Sequence, residues 1–271
     1  MLEGVAGVRA VPRPEGAAGR FTLVRHGPEP DLASFVDWFW IVRWDLCGQP
    51  AYEQSILPHP NVHLAFEARG ARVHGVDTKV FSRRLDGAGK VLGVRFRPGC
   101  FRPFCGAPTS SLTDRIVPAA TYFGQASRAA NEAIMAAGTD EEMAAIATGL
   151  LRAAAPPPDP VAGQVAEMVG RITSDRELRR VGQLTDQFGM GERMLQRLFA
   201  QYVGVSPKWV MRRARLHEAA LRADSGEEID WAALATDLGY ADQSHLTRDF
   251  TATLGVPPAR YASRYPPATP A

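Results

Sequence analysis

Leu195-Gln196-Arg197-Leu198-Phe199, followed after four residues by Gly204-Val205-Ser206-Pro207, returns 51 positions later (195 to 246) as Leu246-Thr247-Arg248-Asp249-Phe250, four residues, and Gly255-Val256-Pro257-Pro258. Leu, Arg, Phe, Gly, Val and Pro recur in register, so the C-terminal third of the 271-residue chain carries one structural unit written twice. Just upstream, each copy has a small residue followed four positions later by glycine, Thr185 to Gly189 and Ala235 to Gly239, ahead of a second apolar helix.

Sterics account for both positions. A small side chain lets the second helix cross the first closely, and the glycine accepts the left-handed backbone that ends the first helix. The pattern therefore predicts two helix-turn-helix units. Asp230 is placed to cap a helix over Trp231 to Leu238, and Asp242 one from Gln243 to about Thr253. Between the units, Ser206-Pro207 is a cap with proline at the first helical position, and helix-compatible residues run to about Arg222. At about 1.5 Å per residue this connecting rod is roughly 24 Å long, which with the width of the units suits two helices about 34 Å apart, one turn of duplex.

Leu195, Leu198 and Phe199, and in the second copy Leu246 and Phe250, face inward. That leaves Arg193, Gln196 and Arg197, then Gln243, Ser244, Thr247 and Arg248, projecting outward. These are the side-chain types that read base edges: arginine bidentate to guanine, glutamine to adenine, hydroxyls as adaptable partners. Arg212, Arg213 and Arg215 on the connecting helix are candidate phosphate contacts.

Bulk charge does not announce nucleic acid: the chain has 31 basic and 29 acidic residues, net +2, and residues 161–271 alone carry 14 and 13. The acids of that region cluster in Asp224-Ser-Gly-Glu-Glu-Ile-Asp230, which leaves the arginines locally dominant on the helices. No apolar run approaches the roughly 18 to 20 residues of a membrane span, and Met1 to Arg20 lacks a secretory pattern, so a cytoplasmic protein is expected. Cys47, Cys100 and Cys105 are an odd number, expected as free thiols in a reducing compartment.

Upstream, between Phe21 and about Phe104, short runs rich in aromatic and β-branched residues read as strands: Phe21 to Val24, Val36 to Trp44, Val62 to Phe66 and Val91 to Phe96. Helical spacing follows, notably over Glu141 to Ala154, and stops at Pro156-Pro-Pro-Asp-Pro160. The expected fold is α+β in two domains. Residues 1–155 form a β-rich domain, barrel or cupin-like, ending in helices; 156–160 are a proline-rich linker. Residues 161–265 form an all-α domain of two helix-turn-helix units joined by a long helix, and 266–271 a loose tail, like the first twenty residues.

Trp38 and Trp40 alternate along a strand and share one face, as do Arg95 and Arg97. The four are candidate ligand-binding residues; the alternatives are aromatics that fill a barrel and arginines that face solvent. His59, His63 and His74 with Cys100 or Cys105 lack the spacing of a metal site, so no metal and no cofactor are predicted. Cys100 and Cys105 serve as a redox pair only if close and partly exposed. No Ser-His-Asp order or phosphate loop suggests an enzyme.

With Arg215-Leu216, Ala219, Leu221, Gly239-Tyr240 and Pro257-Pro-Ala-Arg-Tyr261 added to the repeat, about 85 residues resemble the DNA-binding domain of AraC-type (AraC/XylS) transcription regulators. The resemblance implies sequence-specific binding of double-stranded DNA by the two sets of outward residues, and often activation, with RNA polymerase as partner. It also implies a small-molecule effector held by the N-terminal domain and a pairing of two subunits. Gly191-Glu192 stands where many members have serine, which weakens the cap of the first reading helix. The N-terminal half resembles the sensor of a less studied subset through Asp37-Trp-Phe-Trp40, Ile56-Leu-Pro-His59 and Val91 to Gly99, with no ligand implied and no sugar inherited.

Overall fold

The computed structural model describes residues 19–224 and 228–263; the expected N-terminal tail up to residue 18, the expected C-terminal tail and the middle of the acidic loop lie outside the described residues. Seven strands come first, β1 (Thr22–His26), β2 (Val36–Asp45), β3 (Tyr52–Ile56), β4 (His63–Phe66), β5 (Arg72–His74), β6 (Phe81–Leu85) and β7 (Ala88–Phe96), and an eighth, β8 (Ile116–Pro118), follows the first short helix. Six of them form an antiparallel sheet in the order β1-β2-β7-β4-β5-β8, while β3 and β6 pair only with each other.

Among the described residues the large sheet stays open, which corrects the expectation of a barrel. Pro58 and Pro60 lack amides just where β3 would have to continue into β4, so the β3–β6 ribbon separates as its own layer and no strand bridges β1 to β8.

Strand alternation gives the large sheet two different faces. On one, Phe39, Ile41, Leu64, Phe66, Leu92, Val94 and Phe96 are fully buried in a single apolar cluster with residues of the helices that follow. Burying each such side chain is worth about 1.5–3 kcal/mol, which makes this the mechanical base of the N-terminal half. Those helices are α1 (Arg102–Cys105), α2 (Ala120–Phe123), α3 (Ala126–Ala136) and α4 (Asp140–Ala154). A capping box between Thr139 and Glu142 starts α4, and Met143, Ala147, Leu150 and Leu151 turn its buried side to the sheet. The other face of the sheet, bearing Trp38, Trp40, His63, His74 and Arg95, looks toward the β3–β6 ribbon.

α4 ends at Ala154, and the last proline of the expected linker, Pro160, opens α5 (Pro160–Ser174) with Asp159 as its cap. The remaining helices are α6 (Val181–Phe188), α7 (Glu192–Leu198), α8 (Pro207–Ala223), α9 (Trp231–Asp237), α10 (Gln243–Leu254) and α11 (Pro258–Ala262). One apolar cluster gathers α5 to α7 with the start of α8, and a second gathers the end of α8 with α9 to α11.

Candidate nucleic-acid interface and effector cavity

Both helix-turn-helix units are built by the devices visible in the repeat. Gly189 ends α6 at φ 60°, and Gly239 follows α9 at φ 71°, both in the left-handed region. Ser206 accepts from the Trp209 amide to start α8, Asp230 from Ala232 and Ala233 to start α9, and Asp242 from His245 to start α10. Gly191 gives α7 no side-chain cap, so the first reading helix starts less firmly than the second.

On α7, Leu195 is fully buried while Arg193, Gln196 and Arg197 are exposed. On α10, Leu246 and Phe250 are fully buried while Gln243, Ser244 and Arg248 are exposed and Thr247 is half-buried. Three of these residues are steadied within their own helix: Gln196 donates to Glu192 at 3.1 Å, Arg197 to the Met194 sulfur at 3.0 Å, and Arg248 to the Ser244 carbonyl at 3.3 Å.

The three arginines of α8 separate. Arg212 pairs with Asp249 of α10, and Arg215 donates to the Arg179 carbonyl at 2.6 Å with its guanidinium 5.8 Å from the Tyr240 ring. Together with Lys208, Arg180 and Arg248 they edge a groove between the two units, a placement suited to a phosphate backbone. Arg213 turns the other way. It is 4% exposed, lies over the Trp209 ring at 4.6 Å and donates to the Thr78 carbonyl at 2.7 Å, so it holds the N-terminal half and is no phosphate contact in this arrangement. Burial lowers its pKa to about 10.

Asp249, unremarked in the sequence, is the hinge pin of the second unit. Although buried, it accepts from the Tyr240 hydroxyl at 2.8 Å as well as from Arg212, and so ties α10 to α8. Burial and the Asp249 carboxylate push the Tyr240 phenol well above its ordinary value.

In the N-terminal half, the sheet and the ribbon form a partly open cavity of about 220 Å³. Trp38, Trp40 and Arg95 are among its lining residues. Trp40 lies flat across β7 because its register partner is Gly93, where any Cβ would collide with the indole. Arg97 does not line the cavity: β7 ends at Phe96, and the Arg97 side chain donates to the Ala33 carbonyl at 3.3 Å instead. Nor is Arg95 solvent-exposed. Its side chain is 11% exposed, stands 4.2 Å over Trp38, donates to the side-chain amide oxygen of Asn61 at 2.8 Å and lies 3.3 Å from Asp37. Burial brings its pKa to about 10, and burial also raises that of Asp37.

His59, His63 and His74 also line the cavity. Trp40 donates to His63 Nδ1 at 3.2 Å, which places the His63 proton on Nε2. Burial lowers all three imidazoles, His63 to about 3, and keeps them neutral. Nε2 of His59 and of His74 is buried without a hydrogen-bond partner. Among the described residues no group of three or more His, Cys, Asp or Glu is placed to hold a metal.

The thiols are separate and free: Cys47 is exposed, while Cys100 is buried and donates toward the Ala162 carbonyl. Burial pushes Cys100 up to about 11 and raises Cys105, which disfavours the thiolates that redox chemistry needs. No helix among the described residues is long and apolar enough to cross a membrane.

Two such helix-turn-helix units, each presenting an outward polar helix face, are the architecture of a DNA-binding domain. Residues 184–264 match a family described as a helix-turn-helix domain, of the AraC type, and residues 24–118 match a domain of unknown function, DUF6597. The chain thus carries an AraC-type helix-turn-helix domain behind a DUF6597 domain. No curated protein matches it.

Among solved structures, a probable AraC family transcriptional regulator from Rhodopseudomonas palustris is 24% identical over 37% of this chain and 94% of its own, at a TM-score of 0.33. ToxT from Vibrio cholerae with an unsaturated fatty acid bound is 10% identical over 91% and 92%, at a TM-score of 0.41. A second ToxT structure is 12% identical over 91% and 97%, at 0.37. At these scores the family assignment rests on the two domain matches.

Proposed function

We propose that this protein is a sequence-specific and effector-responsive transcription regulator: a small molecule in the N-terminal cavity changes how the two reading helices present themselves to an operator. The supporting observation is that the cavity walls run straight into the DNA-binding half. Ile56, Pro58 and His59 line the cavity, while Leu57 among them is buried in the apolar cluster of the second helix-turn-helix unit. His74, Gly75 and Asp77 line it, while Val76 is buried in the cluster of the first.

His59 also stacks on His217 of α8 at 3.8 Å and 9°, and His217 Nε2 lies 3.2 Å from the Pro58 carbonyl oxygen. A ligand that prefers one arrangement of these two wall segments therefore biases both units at once, and its differential affinity sets the size of the effect. The open cavity favours this reading over a constitutive DNA-binding protein whose N-terminal half only dimerises.

In this reading residues 1–155 are the sensor, 156–160 the linker and 161–265 the DNA-binding domain. Arg193, Gln196 and Arg197 read one major-groove segment, and Gln243, Ser244, Thr247 and Arg248 the next. The protein works in the cytoplasm without a catalytic step, with RNA polymerase and a second subunit as further partners. The test is selection of bound duplexes from a random pool by the full-length protein at near-physiological salt. A motif with two half-sites about one helical turn apart is expected. Recovery of unenriched DNA at measurable affinity would refute sequence-specific reading.

A further inference from the structure

The cavity's charges say what kind of effector it takes. Its cationic side chains already have company: Arg95 is held by Asp37 and Asn61 over Trp38, Arg83 pairs with Glu67 at 2.5 Å, and Arg25, exposed on β1, stands 5.3 Å from the Trp38 ring. A ligand carboxylate pushed in beside Arg95 would compete with the buried Asp37 and leave one of the two acids poorly matched. A ligand cation would meet Arg95 and Arg25 at the same end, while burial and the neighbouring Asp114 raise the pKa of Asp77, the acid in the lining, and so disfavour the charged form that would attract it.

What the cavity lacks is a hydrogen-bond partner for neutral imidazoles. The buried Nε2 atoms of His59 and His74 have none, and burial keeps both rings uncharged, so each offers either a lone pair or an N–H. Apart from Gln54, Asn61 and Asp77 the rest of the wall is mostly apolar, with flat surfaces from Trp38, Trp40 and Phe81, the last set edge-on to His74 at 6.1 Å. About 220 Å³ exceeds the roughly 150 Å³ cavity that accepts benzene, which leaves room for one ring and a short polar substituent.

We propose that the cavity binds a small, uncharged, planar ring compound whose hydrogen-bonding group meets His59 and His74 while its ring lies among Trp38, Trp40 and Phe81. This rests on the effector-responsive reading but is tested without DNA. Benzamide, benzoate and benzamidine share one shape and differ in charge, being neutral, anionic and cationic at pH 7.5.

Titrated calorimetrically into the full-length protein, benzamide is expected to bind at least tenfold more tightly than either ion. His74→Leu, which keeps the bulk and removes the nitrogen, is expected to weaken benzamide by at least fivefold; its unfolding midpoint without ligand reports that it folds. Equal or tighter binding of benzoate, no binding of benzamide, or undiminished benzamide binding by the folded variant would each overturn the proposal. The first of these would leave the effector reading standing, since that fails only if a bound cavity ligand leaves DNA affinity unchanged.

Discussion

Leu57→Ala tests whether the two halves share structure or merely touch. Leu57 is 1% exposed and, though it belongs to the N-terminal half, is buried in the cluster that contains Leu216, Leu234, Leu246 and Phe250. Deleting a buried leucine to alanine costs about 2–5 kcal/mol, the lost transfer free energy plus the cavity left behind. This site lies where two substructures meet and can close partly over the gap, so about 2 kcal/mol is expected. That corresponds to roughly a thirtyfold rise in local opening, since 1.4 kcal/mol is tenfold.

Hydrogen exchange of the full-length variant reads the effect by region. The amides of α9 to α11 are expected to lose protection, with α3 and α4 unchanged, while the control Leu64→Ala in the sheet core should do the reverse. Unchanged protection in α9 to α11 would refute the claim that this cavity wall supports the second unit.

Three further outcomes follow. Arg248→Ala is expected to cost about 1–3 kcal/mol in operator affinity and relax preference at one base position, and a loss uniform across sequences would reassign Arg248 to a phosphate. Tyr240→Phe removes the hydroxyl that donates to buried Asp249 and should cost about 1–3 kcal/mol in urea unfolding. An unchanged midpoint would mean that Arg212 alone satisfies the carboxylate.

His217 sets a pH dependence. Burial holds it down to about 3, so between about pH 6.5 and 3 the unfolded chain binds the extra proton and the folded one does not. Its contribution to stability is therefore complete above that window and is lost as pH falls through it, by at most about 1.4 kcal/mol per unit. Stability at pH 5 should be lower than at pH 7, with a shallower slope in His217→Asn; equal slopes would contradict the assignment.

The DNA-binding half was legible because its signals are local. Gly189, Gly239, Ser206, Asp230 and Asp242 each act within one turn of their own backbone, and the structure uses every one of them that way. What escaped depends on partners distant in the chain. Phe81-Ser-Arg-Arg-Leu85 becomes a strand only because Tyr52–Ile56 pairs with it, and its polar alternate residues hid it.

Arg95 is buried and Arg213 faces inward because Asp37, Asn61 and Thr78 receive them, which no spacing rule reveals. The alternation of Trp38 and Trp40 did place both on one face, yet the sign that this face is open lay in Gly93, the glycine that Trp40 covers.

Leu57 and Val76 carry a consequence for how such chains diversify. Each is a plug from one half seated in the hydrophobic interior of the other, so the halves are not interchangeable cassettes. A chimera that joins this sensor to another reading domain would present two apolar pegs to sockets cut for different pegs, and one that joins this reading domain to another sensor would leave two holes. Substitutions at 57 and 76 should drift together with those lining α8 and α5, and recombination between relatives should succeed only when the breakpoints carry pegs and sockets across as a set.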